Sequence, residues 1–331
     1  MQKLIRIGTR DSQLAVWQAT LVQNLLKEFG ISSELVYIKS EGDIDTVTPL
    51  YALGVQGIFT KTLDAALLSN RIDIAVHSMK DVPTQLAKGI QQAAVLKRAS
   101  YKDVFIYKGD REEIEYELGI ENGKWKMENP ELNNSSFKIH DSKYVIATSS
   151  IRRKAQWLNR YPNHTIENLR GNVNTRLRKV AESNWSGAIF AAAGLERINL
   201  RPQESIDLDW MLPAPAQGAI MIVCREKDEV AFESCKMFND EHTALCTKIE
   251  RDFLNTLMGG CSTPISALAQ VKNNTVEFEG NICTPDGSVK TEIKKKIPIE
   301  NASTAGVRLA NELLAQPSAS KIVQNIRYAK K

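Results

Sequence analysis

Apolar residues recur along most of the chain with two alternating spacings, one typical of strands and one typical of helices. Residues 4–8 form a short apolar run that predicts a strand, and residues 12–28 place apolar side chains on one helical face. The same order returns after a polar interruption, with a strand predicted at 144–147 and a helix at 151–158. Because alternating strands and helices are typical of α/β domains, the pattern predicts two α/β units with mainly parallel sheets.

The pattern changes at about residue 240. A long helical repeat that ends at 257 is followed by three strand-like segments and by a helix from 302. This order predicts a smaller α+β domain at the C-terminal end of the chain.

Residues 109–141 have the weakest apolar periodicity of the chain and are rich in Glu, Asn and Gly. We interpret them as an insertion or a mobile surface excursion within the second unit. A small packed hairpin around Trp125 is the alternative.

The composition is that of a folded protein with reduced thiols. The chain has 331 residues, of which 25% are charged and 43% hydrophobic, and this favours two or three globular domains. Its N-terminus lacks the pattern of a secretory signal, and its apolar runs are too short to span a membrane. Five cysteines without CxxC spacing argue against a disulfide framework or a zinc site. We therefore expect a cytoplasmic protein with no membrane segment and no metal.

Positive charge is concentrated in one part of the chain. The formal net charge is only +4, yet residues 151–201 hold ten Lys and Arg against three acidic residues. A solvated basic face is the ordinary explanation of such a run. A nucleic-acid surface would need more interleaved aromatic residues than Trp157, Tyr161 and Trp185. We therefore expect no nucleic-acid partner.

Both α/β units begin with a similar arrangement of polar residues. In the first unit, Arg10 follows the strand and Ser12 begins the helix; in the second, Thr148 and Ser150 precede Arg152. Backbone N–H groups at a helix N-terminus favour anions. Two such ends facing each other across a cleft would bind a molecule with several negative charges.

The segment GGCSTPI, residues 259–265, surrounds Cys261 with small residues and a proline. Glycines reduce the bulk near the thiol, and proline restricts the backbone. Since a buried structural cysteine seldom needs such clearance, the segment predicts a thiol that carries a large group.

Asp81 is the acidic residue of the segment HSMKDVP, residues 77–83. A carboxylate in a cleft can transfer protons and stabilise a cation, which makes Asp81 a candidate catalytic group. The structural alternative is a carboxylate that caps the turn ending at Pro83. We interpret His77 as a buried residue at a strand end rather than as a base.

Six segments occur in one order along the chain: HSMKDVP, TSSIRR, LRGNVNTRL, AAAGLERI, LPAPAQGA and GGCSTPI. In this order and at these distances they resemble the porphobilinogen deaminase family, also called hydroxymethylbilane synthases. The resemblance extends over nearly the whole chain, with the exception of residues 109–141. A single segment would be unspecific, whereas six collinear segments are specific.

The resemblance implies an enzyme of tetrapyrrole synthesis that condenses four porphobilinogens head to tail, releases ammonia and hydrolyses off hydroxymethylbilane. It implies a dipyrromethane cofactor bound by a thioether to Cys261, no metal, and a monomer. The implied fold has two periplasmic-binding-protein-like lobes flanking a cleft, residues 1–101 with 213–236 and residues 102–212. A smaller C-terminal α+β domain at 240–331 carries the cofactor cysteine.

The resemblance also implies the site residues, position by position. Asp81 takes the catalytic role, and Cys261 is the attachment residue. Cofactor and growing chain together carry about a dozen carboxylates, which arginine forks bind bidentately while staying charged. The implied cofactor-binding residues are Ser12, Lys80, Asp81, Thr148, Ser150, Arg152, Arg153 and Arg176. The implied substrate-binding residues are Arg10, Phe59, Arg170, Asn172, Arg176, Arg197 and Gln217.

The chain departs from the family pattern at two points. Gln56 stands where many relatives have lysine, within the glycine-bearing segment 40–57 that we interpret as a lid over the cleft. Pro215 and Ala216 stand where relatives often have Val-Gly.

A binding module without chemistry is the rival interpretation, because two α/β lobes are also the plan of solute-binding proteins and regulator domains. An arginine-rich cleft would serve either class. Cys261 and Asp81 separate the two, since a receptor needs neither a thioether-bearing loop nor a proton shuttle.

Overall fold

The computed structural model describes residues 4–39, 60–121, 124–125, 144–257 and 263–328. Within them the chain forms two five-stranded sheets, one three-stranded sheet and one two-stranded hairpin. The predicted lid and Gln56 lie outside the described residues.

The first sheet has the strand order β2-β1-β3-β12-β4. Its outer strands come from the N-terminal part of the chain, whereas β12 is contributed by residues far downstream. The strands are β1 (Ile5–Thr9), β2 (Ser33–Tyr37), β3 (Ile74–Ser78), β4 (Ile90–Val95) and β12 (Ile220–Arg225). The helices packed against this sheet are α1 (Gln13–Glu28), α2 (Lys61–Leu68) and α7 (Glu229–Lys236).

The second sheet has the strand order β11-β5-β10-β8-β9. The fully buried side chains of Phe105 and Trp157 pack at a ring-centroid distance of 5.3 Å in the core on one of its faces. The strands are β5 (Asp103–Tyr107), β8 (Val145–Ala147), β9 (Thr165–Glu167), β10 (Gly187–Ala191) and β11 (Ser205–Asp207). The helices between them are α3 (Arg111–Leu118), α4 (Ile151–Arg160), α5 (Val173–Glu182) and α6 (Ala192–Glu196).

Both five-stranded sheets are mixed. In each, two of the four strand pairings among the described residues are parallel and two are antiparallel. The two-unit α/β fold predicted from the sequence is confirmed, but the parallel pairings do not dominate. The antiparallel pairings involve β5 and β12, the strands that follow the two crossovers between the lobes. The apolar pattern of a strand does not indicate whether its distant partners run parallel or antiparallel to it, so the sequence did not predict these pairings.

The first part of the predicted insertion is packed against the second sheet. Helix α3 buries Ile114 and Leu118, and a hairpin of β6 (Ile120–Glu121) and β7 (Lys124–Trp125) follows it. The indole N–H of Trp125 donates to the carbonyl of Asp207 at 3.1 Å. The packed-hairpin alternative is therefore correct for this part, and residues 126–143 lie outside the described residues.

The C-terminal domain is a three-stranded antiparallel sheet covered by helices, as the change of pattern at residue 240 predicts. Phe253 and Phe278 meet edge to face in its core, with ring centroids 5.1 Å apart. Its elements are α8 (Glu241–Thr256), β13 (Ile265–Lys272), β14 (Thr275–Cys283), β15 (Lys290–Pro298), α9 (Ala305–Leu314) and α10 (Pro317–Tyr328).

The four cysteines in the described part of the chain are free and buried: Cys224, Cys235, Cys246 and Cys283. Burial raises the pKa of each thiol, which keeps them protonated and unreactive. These cysteines act as small apolar core residues, and their free thiols agree with the reduced state indicated by the sequence. Among the helices that the structure describes, none has the length and apolar character needed to cross a membrane.

Candidate active site

A cleft of about 630 Å³ lies between the two lobes. Strand ends and helix N-termini of both lobes form its walls. Thr263 and Ile265, at the start of the C-terminal domain's sheet, line it as well. A volume of this size is typical of a pocket for a small organic molecule.

The cleft gathers every predicted site residue that the structure describes. Phe59 and Cys261 lie outside the described residues, but Thr263 follows Cys261 by two positions along the chain. The thirteen others all line the cleft: Arg10, Ser12, Lys80, Asp81, Thr148, Ser150, Arg152, Arg153, Arg170, Asn172, Arg176, Arg197 and Gln217. Residues far apart in the sequence therefore form one site.

Three helices begin at this cleft, with Ser12, Ser150 and Asn172 as their N-cap residues. The side chain of Asn172 accepts a hydrogen bond of 2.9 Å from the backbone N–H of Thr175, and Ser150 caps α4 in the same way. The positive ends of these helix dipoles point to one region, where they favour bound anions. The matching openings of the two α/β units thus line one cleft.

The two arginines at the start of α4 share a buried carboxylate. Arg152 donates to one oxygen of Asp103 at 2.7 Å, and Arg153 donates to the other at 2.7 Å. Asp103 has no exposed surface, and although burial alone would raise its pKa, the two guanidinium charges hold that pKa well below its usual range. One carboxylate neutralises only one of two cations, so the pair keeps a net positive charge toward the cleft.

Gln217 connects this cluster to Lys80. Its amide nitrogen donates to Asp103 at 2.9 Å and to the carbonyl of Tyr101 at 2.8 Å, while its amide oxygen accepts from the Lys80 amine at 3.4 Å. Both polar ends of the side chain are thus engaged within the protein. These contacts give Gln217 a positioning role, and its predicted direct contact with substrate stays a prediction.

Lys80 and Asp81 lie on a short 3-10 turn that follows β3. Arg251 of α8 holds this turn, since its guanidinium donates to the carbonyl of Val82 at 2.9 Å and to that of Met79 at 3.4 Å. The side chain of Asp81 is exposed to the cleft. Burial and the charges of the nearby arginines lower the pKa of Lys80 to about 8, against the attraction of Asp81.

Arg176 and Arg197 are cations that the protein itself compensates poorly. Burial, followed by repulsion from Arg153, lowers the pKa of Arg176 to about 10. Burial lowers the pKa of Arg197 to about 10 as well, and its guanidinium lies over the ring of Trp17 at 5.8 Å. A cation in such surroundings is stabilised when an anion binds beside it.

His77 is buried in β3, and burial together with the charge of Arg10 lowers its pKa to about 4. It is therefore neutral at pH 7. The structure agrees with the interpretation of His77 as a core residue of the strand.

The donor set fits a polyanionic cofactor such as dipyrromethane. The buried Nε of Arg152 makes no hydrogen bond within the described part of the chain. In the same ranges no group of His, Cys, Asp and Glu side chains has a metal-binding arrangement. Cations outnumber carboxylates among the described lining residues, with Arg10, Lys80, Arg152, Arg153, Arg170, Arg176 and Arg197 against Asp11 and Asp81.

Three residues that support the site were not predicted: Asp103, Arg251 and Gln156, which is described below. Each acts on a neighbour 30 or more positions away in the chain. The only local signal was the position of Asp103 at the start of an apolar strand, where a buried carboxylate requires a cationic partner.

Two family models match most of the chain. The family model "Porphobilinogen deaminase, dipyromethane cofactor binding domain" matches residues 5–233, and "Porphobilinogen deaminase, C-terminal domain" matches residues 244–315. Among solved structures, the methionine binding protein MetQ superposes with a TM-score of 0.41 at 13% identity, covering 73% of this chain and 92% of that one.

Curated relatives cover almost the full length. The chain is 38% identical to porphobilinogen deaminase of Chlorobium phaeobacteroides, over 99% of both chains. It is 36% identical to that of Campylobacter hominis, over 96% of both, and 39% identical to the chloroplastic enzyme of Oryza sativa, over 90% of this chain and 79% of that one. The chain belongs to the porphobilinogen deaminase family, transferases of tetrapyrrole biosynthesis that act on porphobilinogen and carry a dipyrromethane cofactor.

Proposed function

We propose that this cleft condenses four porphobilinogens, with Asp81 as the catalytic carboxylate and Cys261 as the point of cofactor attachment. The observation that carries the proposal is the convergence of the thirteen described candidate residues on one cleft, with Thr263 in its wall. The carboxylate, the cations and the entry of the chain near Cys261 are thereby brought within the reach of one ligand.

When bound, dipyrromethane would supply the nucleophilic pyrrole to which the first substrate unit is added. The carboxylates of the cofactor are bound by residues of both lobes. The second lobe contributes Arg152, Arg153 and Arg176, and the first lobe contributes Lys80. Pairing with Asp103 fixes the two arginines of α4 before any ligand binds. Such preorganised cations need little rearrangement when an anion arrives.

Asp81 acts on the substrate. When the carbon–nitrogen bond of the aminomethyl group breaks, ammonia leaves and the ring becomes a cation. A carboxylate that accepts a hydrogen bond from the pyrrole N–H stabilises this cation, and after the new carbon–carbon bond forms it can take up the proton that the attacking pyrrole ring loses. Lys80 and Arg176 lie near enough to act on Asp81 electrostatically, and both can bind the acetate and propionate groups that flank the reacting carbon.

The proposal divides the chain into three domains. We assign residues 1–101 with 213–236 to the first lobe, 102–212 to the second and 240–331 to the C-terminal domain. The sheets support this assignment, because β12 completes the first one, and β5 together with β8 to β11 forms the second. A cytoplasmic location, a monomeric state and the absence of a nucleic-acid partner stay predictions, of which size-exclusion chromatography with light scattering tests the second.

Peptide mapping of the active enzyme tests the proposal. The peptide that contains Cys261 should carry the mass of two linked pyrroles, and the peptides with the four buried cysteines should be unmodified. Active enzyme with an unmodified Cys261 would disprove the attachment.

A further inference from the structure

One face of α4 links the arginines of the cleft to the C-terminal domain. Arg152 and Arg153 occupy its first turn, Gln156 the second and Asn159 the third. Residues at this spacing lie on the same side of a helix. The first turn contacts Asp103, and the next two contact the C-terminal sheet.

Gln156 makes four hydrogen bonds at the centre of this face. Its amide nitrogen donates to the hydroxyl of Ser266 at 3.0 Å and to the carbonyl of Leu212 at 2.9 Å. Its amide oxygen accepts from the backbone N–H of Leu212 at 3.0 Å and from the side chain of Asn281 at 3.3 Å. The side chain is 5% exposed, so its whole hydrogen-bonding capacity is used inside the protein.

These contacts join three parts of the molecule at one point. Leu212 lies on the crossover between the lobes, and its carbonyl also accepts from Arg152 at 2.8 Å. Ser266 and Asn281 belong to β13 and β14, where they form a cross-strand pair. Gln156 therefore ties the arginine cluster and the crossover to the C-terminal sheet.

The hydrogen bonds of Gln156 lie where the chain leaves the segment that contains Cys261. Thr263 and Ile265 line the cleft, and Ser266 is the next residue, with no exposed surface. A shift of β13 along α4 would move this entry point relative to the arginines. Catalytic and binding geometry is sensitive to displacements of about 1 Å.

A second contact lies farther from the cleft. Asn159 donates to the carbonyl of Gly287 at 2.8 Å, in the turn between β14 and β15. Gly287 has a φ of 77°, and a Cβ there would lie 2.5 Å from the carbonyl oxygen of Ala155. The turn thus packs directly on the helix backbone, but the Asn159 bond reaches neither β13 nor the crossover at Leu212.

We infer that Gln156 is a positioning residue for cofactor attachment, which sets β13, and with it the preceding segment that carries Cys261, in register with the arginines of α4. The inference rests on the proposed attachment at Cys261. Because Gln156 touches neither lining residues of the first lobe nor the reacting carboxylate in the described contacts, its effect is expected on cofactor assembly rather than on the chemical step.

The test follows adduct formation in protein produced in a host that makes no porphobilinogen. Porphobilinogen is added, and intact-mass spectrometry follows the gain of two pyrrole units on Cys261 over time. We expect Gln156→Leu and Ser266→Ala to slow this gain by about tenfold or more, as misplacement of reacting groups does. The control Asn159→Ala also loses a bond to the C-terminal domain, and we expect its rate to stay within about twofold of the parent rate.

The outcomes separate the alternatives. Adduct formation at the parent rate in Gln156→Leu and Ser266→Ala would overturn the inference. Adduct formation that is slowed as much in Asn159→Ala as in these two variants would also overturn it, because it would indicate general loosening of the interface. Ser266→Ala removes one buried hydroxyl and decides the question if Gln156→Leu does not fold. A parent chain that gains no mass on Cys261 would overturn the proposed attachment together with the inference.

Discussion

The buried carboxylate of Glu250 accepts a hydrogen bond of 2.6 Å from the backbone N–H of Ala216, which has a φ of 62°. Residues with a Cβ seldom adopt this conformation, whereas glycine does so freely. Arg98 fixes the same carboxylate through a bidentate pair with distances of 2.6 and 2.8 Å. The C-terminal domain thus holds the crossover in an unfavourable conformation directly before Gln217.

Substitutions at Ala216 should reveal this strain. Ala216→Gly relieves the backbone but loses a buried methyl group, and these effects nearly cancel, so the free energy of unfolding should change by less than about 1 kcal/mol. Ala216→Val should destabilise by about 2 kcal/mol or more, because a β-branched side chain fits neither the positive φ nor the packed core. Urea unfolding of both variants measures the difference, and an equal loss in both would contradict the strain.

Asp81→Asn should abolish turnover and leave the fold intact. The amide has nearly the same shape but neither stabilises a cation nor carries protons, and positioned acid–base groups contribute roughly 10²–10⁴ in rate. Single-turnover measurements of ammonia release quantify the loss. The matched control is Asp11→Asn, which removes the other carboxylate that lines the described cleft and should cost only a small fraction of that effect.

The capping interpretation of Asp81 predicts the reverse. Asn caps turns nearly as well as Asp, so a structural role would give an almost unchanged rate and a slightly lower melting temperature. Bilane formation by Asp81→Asn within about tenfold of the parent enzyme would rule out the catalytic role.

Two arginines of the cleft should respond in opposite directions to the same change. Arg153→Gln leaves buried Asp103 with one partner fewer and should destabilise the protein by roughly 3 kcal/mol. Arg176→Gln removes a cation that burial and the charge of Arg153 disfavour, so it should stabilise the cofactor-free protein by about 0.5–2 kcal/mol while weakening anion binding. Thermal melts of the cofactor-free variants test both signs, and destabilisation by Arg176→Gln would show that its charge is compensated.

His77 should contribute to loss of stability in acid. Its folded pKa of about 4 lies below the ordinary histidine pKa of 6.5, so the unfolded chain binds more protons between these values. Stability is therefore full above about pH 6.5 and falls as the pH is lowered through about 4, by about 3 kcal/mol in total. His77→Gln should flatten this part of the curve in urea titrations from pH 4 to 7.

Some cations of the site could be predicted from the local sequence because they follow a strand or begin a helix, whereas the roles of Arg176, inside α5, and Arg197, at the end of α6, were implied by the family resemblance. Ser150 and Arg152, for example, stand at a predicted helix start and line the cleft. Asp103 and Gln156 could not be assigned in the same way. Their partners lie 49 and 110 residues away, and only the folded chain brings them together.

The same limit applies to the fold. The apolar spacings that predict β1 and α1 depend only on residues within each element. The predicted ranges of both elements agree with the structure to within one residue. The direction of β12 relative to β3 depends on how the chain returns from the second lobe. A run of apolar residues indicates that a strand is buried, but it does not indicate the direction of that strand relative to its neighbours.

The position of β12 also bears on biosynthesis. It lies between β3 and β4 in the first sheet, yet the ribosome reaches it only after the entire second sheet has been made from one continuous stretch, residues 103–207. The second lobe can therefore complete its sheet during translation, while β3 and β4 wait with open edges that can pair with other chains. The N-terminal lobe, although it is synthesised first, therefore completes its sheet after the second lobe, and until then its open strand edges are exposed to aggregation in the nascent protein.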